Sequence, residues 1–243
     1  MNTQLPAYLQ NLGTPGLAAR AAEGIGSARP PHLLTGNNAF VMVDAAGNEQ
    51  RAQTTFLDVC IADISDVMCK QYYGDENGPK KWHADSNDPP ACWSANGVAP
   101  SNEAINPQSL RCDLCEWNKR GSAVAADGKT PTKACRDEKW LAVLVPGVAI
   151  PLQFKITPGS FDNWRSYVEA FRGKDVDLCH VFTRLQFEQG KNGVLTFSLS
   201  PTGYIDQQTA EMFTRVRAVK ASDVLVGRND RPRPGVRRAV PGG

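Results

Sequence analysis

A chain of 243 residues, 41% hydrophobic and 21% charged, is long enough for one large domain or two small ones, and its composition is that of a globular protein. No apolar run approaches the ~20 residues of a membrane-spanning helix, and the first residues lack a basic stretch followed by an apolar one, so a cytoplasmic setting is expected. The net charge of +2 is unevenly placed: residues 228–243 carry five arginines against one aspartate and leave the rest at −2, which excludes a generally basic nucleic-acid-binding body and demands a local cluster for any such role.

Residues 1–29 mix Gly, Ala, Pro and polar residues without periodicity and read as a flexible arm. From Pro30 the composition changes. Ala39 to Val43 reads as a strand, and Asp44 to Asn48 as the hairpin loop after it. From Thr54 to Ile64, alternation puts Leu57, Val59 and Ile61 on one face, with Cys60 a small buried hydrophobe. Further on, Trp140 to Val145 reads as a buried strand, while Ile150, Leu152, Phe154 and Ile156 alternate with other residues as a half-buried one. Ser160 is placed to cap a helix that has Asp162 in its first turn and Gly173 at its end. Phe161, Trp164, Val168 and Phe171 recur there at helical spacing and belong to the core. Val181, Thr183, Leu185 and Phe187 form one face of the next strand, and Phe182, Arg184, Gln186 and Glu188 the other. Gly190 to Gly193 supplies the turn into a return strand with Leu195, Phe197 and Leu199 inward. Asp206 caps a last helix with an apolar stripe of Ala210, Phe213, Val216 and Val219, and residues 228–243 hold too little to bury and are expected to be disordered. Two strands, an insert over residues 74–138, more strand, a helix and a closing strand pair are the order of a mostly β, OB-fold-like five-stranded barrel within residues 30–220.

The insert carries the chemistry. Nineteen residues separate Cys92 from Cys112, which with Cys115 forms a Cys-x-x-Cys knuckle, and nineteen more lead to Cys135. A knuckle aims two thiolates at one centre and two outlying cysteines complete a tetrahedral sulfur set, the ligand set of structural Zn²⁺. The segment has many prolines and glycines and few aliphatic residues, so metal binding would supply the folding energy that a core cannot. Disulfides suit the odd total of seven cysteines poorly, and a redox pair lacks its βαβ context; unligated thiols are the remaining alternative. His83 is a possible substitute ligand.

Lys70-x-Tyr72-Tyr73-Gly74, Pro90-x-Cys92-Trp93-Ser94-x-x-Gly97-x-x-Pro100, Pro107-Gln108-Ser109-x-x-Cys112-x-x-Cys115, Gly121-Ser122 and Lys133-Ala134-Cys135-Arg136 together resemble a group of tailed-bacteriophage single-stranded-DNA-binding proteins. The resemblance spans roughly residues 30–220. It implies an OB-type domain with an inserted zinc-binding loop, acting in phage DNA replication, recombination or repair inside the bacterial host. Replication or recombination proteins would then be possible partners. Two features depart from the pattern: His32 to Val43 holds no Lys or Arg, and the tail is basic.

Sequence-tolerant binding of a single strand needs aromatic rings for base stacking and cations along the phosphates. The candidates are Lys70, Tyr72, Tyr73, Lys80, Lys81, Trp82, Lys119, Arg120, Lys133 and Arg136 around the insert, and Phe182 with Arg184 on the last hairpin. Of the adjacent Tyr72 and Tyr73, the one that faces outward is the stacking candidate. Trp93 covers the metal or stacks on a base, and Trp140 belongs to the core. No catalytic pairing of His32, His83 or His180 is suggested by spacing, and no Walker loop or GxGxxG is present, so a non-enzymatic protein is expected. A zinc-containing adaptor that docks on polymerase machinery is the second reading. A metal-dependent nuclease using Asp58, Asp63 and Asp66 is a distant third.

Overall fold

The computed structural model describes residues 29–36, 38–75, 78–80, 88–125, 128–189 and 195–230. Strands β1 (His32–Gly36) and β2 (Ala39–Val43) form a hairpin, and β2 continues through the Asp44 loop into β3 (Glu49–Arg51). Asp44 shapes that loop as expected, its Oδ1 accepting from the backbone N–H groups of Ala46 and Asn48 at 2.8 and 2.9 Å. Then follow β4 (Phe56–Ile64), β5 (Cys69–Tyr72), β6 (Gly74–Asp75), β7 (Gly78–Pro79) and β8 (Cys92–Ser94). After the cysteine knuckle come β9 (Ala123–Val124), β10 (Pro131–Thr132), β11 (Arg136–Leu144) and β12 (Leu152–Ile156). Helix α1 (Phe161–Glu169) precedes the hairpin of β13 (Val181–Gln189) and β14 (Leu195–Tyr204), and α2 (Gln207–Ala218) and α3 (Ala221–Leu225) close the described chain.

The main sheet runs β14-β13-β4-β11-β12-β1-β2-β3, with β5 pairing to β11 and carrying β8. It is strongly curled into a half-barrel. Phe40 on β2 meets Phe187 on β13 with ring centres 4.5 Å apart, although the two strands are five steps apart in the sheet order. Five steps across a flat sheet would separate them by about 24 Å. The mostly β architecture is therefore present, with more strands in the sheet than the five expected and β1 parallel to β12.

Alternation built this curl. Val59, Ile61, Leu141, Val143, Leu152, Phe154, Ile156, Leu185 and Phe197 face the concave side and are buried with Phe40. Helix α1 covers them with Trp164, Tyr167 and Val168, joined by Phe171 in the turn after it, the Tyr167 hydroxyl lying 2.6 Å from Thr183 Oγ1. Ser160 stands at the N-cap position but caps nothing; its Oγ accepts from Phe197 N at 2.9 Å and ties the helix to β14 instead. Asp206 does cap α2, accepting from Thr209 N at 2.7 Å.

The convex side is also covered. Cys60, Leu144 and Val216 form a second cluster beneath α2, and Ala142, Leu225 and Val226 a third beneath α3. Gln153, one of the residues that alternate with the apolar face of β12, is therefore buried and donates to Leu225 O at 2.6 Å. Val219 is 74% exposed and is not part of the α2 stripe, because the helix ends before it.

Arg228, the first residue of the stretch expected to be disordered, is held in place. The Arg228 guanidinium pairs with Asp63, Asp66 and Asp223 and donates to Ile64 O at 3.1 Å, so the chain is held to the end of β4. Residues 231–243 and the arm before residue 29 lie outside the described residues. Among the described residues, no helix is long and apolar enough to cross a membrane.

Burial works to raise the Asp63 carboxyl, but hydrogen bonds from Arg228, Ile64 N and Ser222 outweigh it and hold the group below 3.8. A depressed carboxyl stabilises the fold above its unfolded pKa, and that contribution disappears as pH falls through the folded value. Arg228→Ala is expected to cost about 1–2 kcal/mol near neutrality. In denaturant melts the gap to wild type should narrow below about pH 4; a gap that stays constant into that range would contradict the assignment.

Candidate functional site

The cysteine segment is threaded onto the sheet by strand pairing. β5 pairs with the N-terminal end of β11, and β8 pairs with β5, setting Cys92 opposite Tyr72. After β8 the chain turns on Asn96, whose Oδ1 accepts from Val98 N and Ala99 N at 2.8 and 3.0 Å. Gly97 completes the turn at φ +69; a Cβ there would stand 2.6 Å from Met68 O, so the loop can lie against its neighbour only with glycine.

This path brings Cys92, Cys112, Cys115 and Cys135 to the wall of one cavity of about 20 Å³, with Trp93, Ser94 and Asn118 among its other walls. That volume holds one water-sized body. All four residues are thiols. Burial pushes the Cys112 thiol up to about 11, against a hydrogen bond from Ser94, and pushes Cys135 up to about 12, against the nearby Lys70 ammonium. Among the described residues no group of three or more His, Cys, Asp or Glu is arranged so that it could hold a metal ion. The four thiols are of the donor type that a thiophilic ion takes, and they line one void without closing to ligating geometry. His83 lies outside the described residues.

Several expected DNA contacts are structural instead. Lys70 is half-buried against Asp137, its Nζ 2.6 Å from Oδ1, and Lys133 pairs with the other carboxylate oxygen. Asn118 Oδ1 accepts from both lysines, at 3.1 and 3.2 Å, while its Nδ2 donates to Cys112 O at 2.7 Å. The two lysines therefore brace the knuckle rather than wait for a phosphate. Tyr72 is 1% exposed and stacks on Trp117 at 5.4 Å, so it cannot serve as a base platform. Trp93 and Trp140 pack together at 5.9 Å, with Trp140 buried as expected.

Other candidates remain accessible. Tyr73 is half-buried and donates from its hydroxyl to Gln71 Oε1 at 2.9 Å. Arg136, half-buried, lies opposite Gln71 in the β11–β5 register. Lys119 and Arg120 are exposed on the insert, and Lys80 pairs with Asp75 at 3.0 Å while remaining largely in solvent. Lys81 and Trp82 lie outside the described residues. Arg184 donates twice to Asp58 at 2.8 Å and lies 4.0 Å over the Phe56 ring, with Phe182 half-buried two residues away on the same face. Its charge is therefore neutralised, while its plane remains fixed on the convex face of the sheet.

Sequence reasoning missed the partners that immobilise these cations: Asp137, Asn118 and Asp58. It also missed a polar row on β12, β5 and β11, in which Gln71 and Glu138 are buried and Lys155 is half-buried. A signal existed in Glu138 and Lys155, charged residues beside otherwise apolar strand positions. Comparison with protein-family models, curated proteins and solved structures finds no match for the chain.

Tyr72 also carries a buried hydroxyl without a hydrogen-bond partner among the described residues. Removing an unsatisfied polar atom is neutral or favourable. Tyr72→Phe is therefore expected to keep or gain stability, by up to about 1 kcal/mol in a denaturant melt. A loss larger than that would mean the hydroxyl has a partner.

Proposed function

We propose that this chain is a non-enzymatic single-stranded-DNA-binding protein of the tailed-phage type, serving replication, recombination or repair, with an OB-like half-barrel as its scaffold. The observation that carries the reading is the placement of accessible rings beside cations on the outer face of the sheet and its insert. Tyr73 lies near Arg136, whose guanidinium burial depresses and the Glu138 carboxylate acts to raise. Phe56 lies under Arg184, with Phe182 on the same face. Stacking on such platforms contributes about 1–3 kcal/mol per base and tolerates any sequence. Lys119 and Arg120, exposed on the insert, supply phosphate contacts.

Zinc fits this reading as a structural ion. Cys92, Cys112, Cys115 and Cys135 would hold it, and the ion would link its binding energy to the folding of a segment poor in apolar core. The chain's own residues do the rest: Asn118 and Lys70 brace the knuckle, and the β5–β11 ladder fixes it to the sheet.

One observation favours a second reading, the adaptor. Ile105, Leu110 and Leu114, all on the cysteine segment, are 63%, 75% and 66% exposed and are apolar side chains that a protein partner would cover. The nuclease reading gains nothing comparable, since Asp58 is engaged by Arg184, and Asp63 and Asp66 by Arg228.

Titration of intrinsic tryptophan fluorescence with oligo-dT separates the first two. Saturable quenching that weakens with salt is expected, and the absence of any response at low salt would favour the adaptor. Elemental analysis of reduced, purified protein should find about one zinc per chain. Cys112→Ser should lose that metal and loosen the insert toward proteolysis. A variant that keeps both its zinc and its protease resistance would remove Cys112 from the ligand set.

A further inference from the structure

Alternate residues of a strand share a side, so β4 turns Phe56 and Asp58 to the convex face, and β13 turns Arg184 and Gln186 there beside them. Register pairs Arg184 with Asp58 and Gln186 with Phe56. Across β13 it sets Ser200 and Ser198 of β14 opposite the same two residues. The Arg184 guanidinium is held twice over. Its Nε and Nη2 each donate to an Asp58 carboxylate oxygen at 2.8 Å, and its central carbon lies 4.0 Å from the centre of the Phe56 ring. Ring, carboxylate and guanidinium therefore meet at one place.

Charge and plane have different fates there. The two-pronged carboxylate balances the positive charge, so a phosphate would have to compete with Asp58 for the same donors. The plane, however, has two faces, and Phe56 takes one. The Arg184 side chain keeps 34% of its surface, Gln186 and Ser200 beside it are exposed, and Ser198 is half-buried. β14 is the end strand of the main sheet, and it presents only short serine side chains next to the guanidinium. A guanidinium is weakly hydrated and stacks on π-faces, and unstacked bases lie on arginine planes as they do on aromatic rings. Because ring and carboxylate already fix this side chain, stacking a base on it costs little further conformational freedom.

We infer that the outer face of the Arg184 guanidinium is the seat of one nucleobase of the single strand, with Asp58 and Phe56 as the residues that position it. The inference rests on the single-strand reading above. It adds that this arginine binds through its plane and not its charge, so its contribution persists in salt, unlike that of Lys119 and Arg120.

The test is a salt series of oligo-dT titrations on the full chain, comparing wild type with Arg184→Lys and Asp58→Asn. Lysine keeps the charge beside Asp58 and lacks the plane. Arg184→Lys should therefore bind about tenfold more weakly at every salt concentration, with the wild-type slope of log K against log salt. Asp58→Asn releases the guanidinium charge to the strand and should steepen that slope by about 0.7. Thermal melts identify variants that remain folded; if Arg184→Lys does not, the Asp58→Asn slope decides. Wild-type affinity in Arg184→Lys, or an unchanged slope in Asp58→Asn, overturns the stacking seat and leaves the single-strand reading standing. A wild type that does not bind oligo-dT at low salt removes both.

Discussion

One strand joins everything described above. The C-terminal part of β11, Leu141 to Leu144, pairs with β4, while Lys139 to Val143 pairs with β12. Its N-terminal part, Arg136 to Glu138, pairs with β5, which carries the cysteine segment through β8. Its concave side fills the core with Leu141 and Val143, and its convex side presents Glu138 and Trp140 to the polar row. The cysteine excursion is therefore not a separate module on a tether. Its position relative to the half-barrel is set by backbone hydrogen bonds in a ladder whose other half is the core, and Cys135 sits directly before that ladder begins.

The fate of the cations follows from where the ladders bring carboxylates. Lys70 and Lys133 meet Asp137, Arg184 meets Asp58, and Arg228 meets Asp63 and two further aspartates. Partly buried pairs of this kind are costly to break, because removing one member strands the other charge. They act as braces. The positive charge available to a ligand is correspondingly smaller than a count of lysines and arginines suggests, and Lys119 and Arg120 on the insert remain exposed.

The adjacent tyrosines show the same division in small. Alternation requires that only one of Tyr72 and Tyr73 face inward, and that much is legible in the sequence. Which one does so depends on Trp117, 45 positions on, which stacks on Tyr72 and leaves Tyr73 at the rim. Gly74 beside them is equally constrained: a Cβ there would stand 2.3 Å from the Tyr72 hydroxyl oxygen.

By itself the sequence determined the local elements. Period-2 alternation marked β4, β12 and β13, helical spacing marked α1, Asp44 and Asp206 marked a turn and a cap, and cysteine spacing marked four side chains that share one cavity. These depend on neighbours a few residues away, and a linear reading carries that information. Tertiary structure alone decided the curl that brings Phe40 onto Phe187, the partner of each cation and the burial of Gln153. The reason is distance along the chain. Lys70 and Asp137 are 67 positions apart, Arg184 and Asp58 126, and Arg228 and Asp63 165, so their pairing depends on how the strands assemble and not on any local pattern.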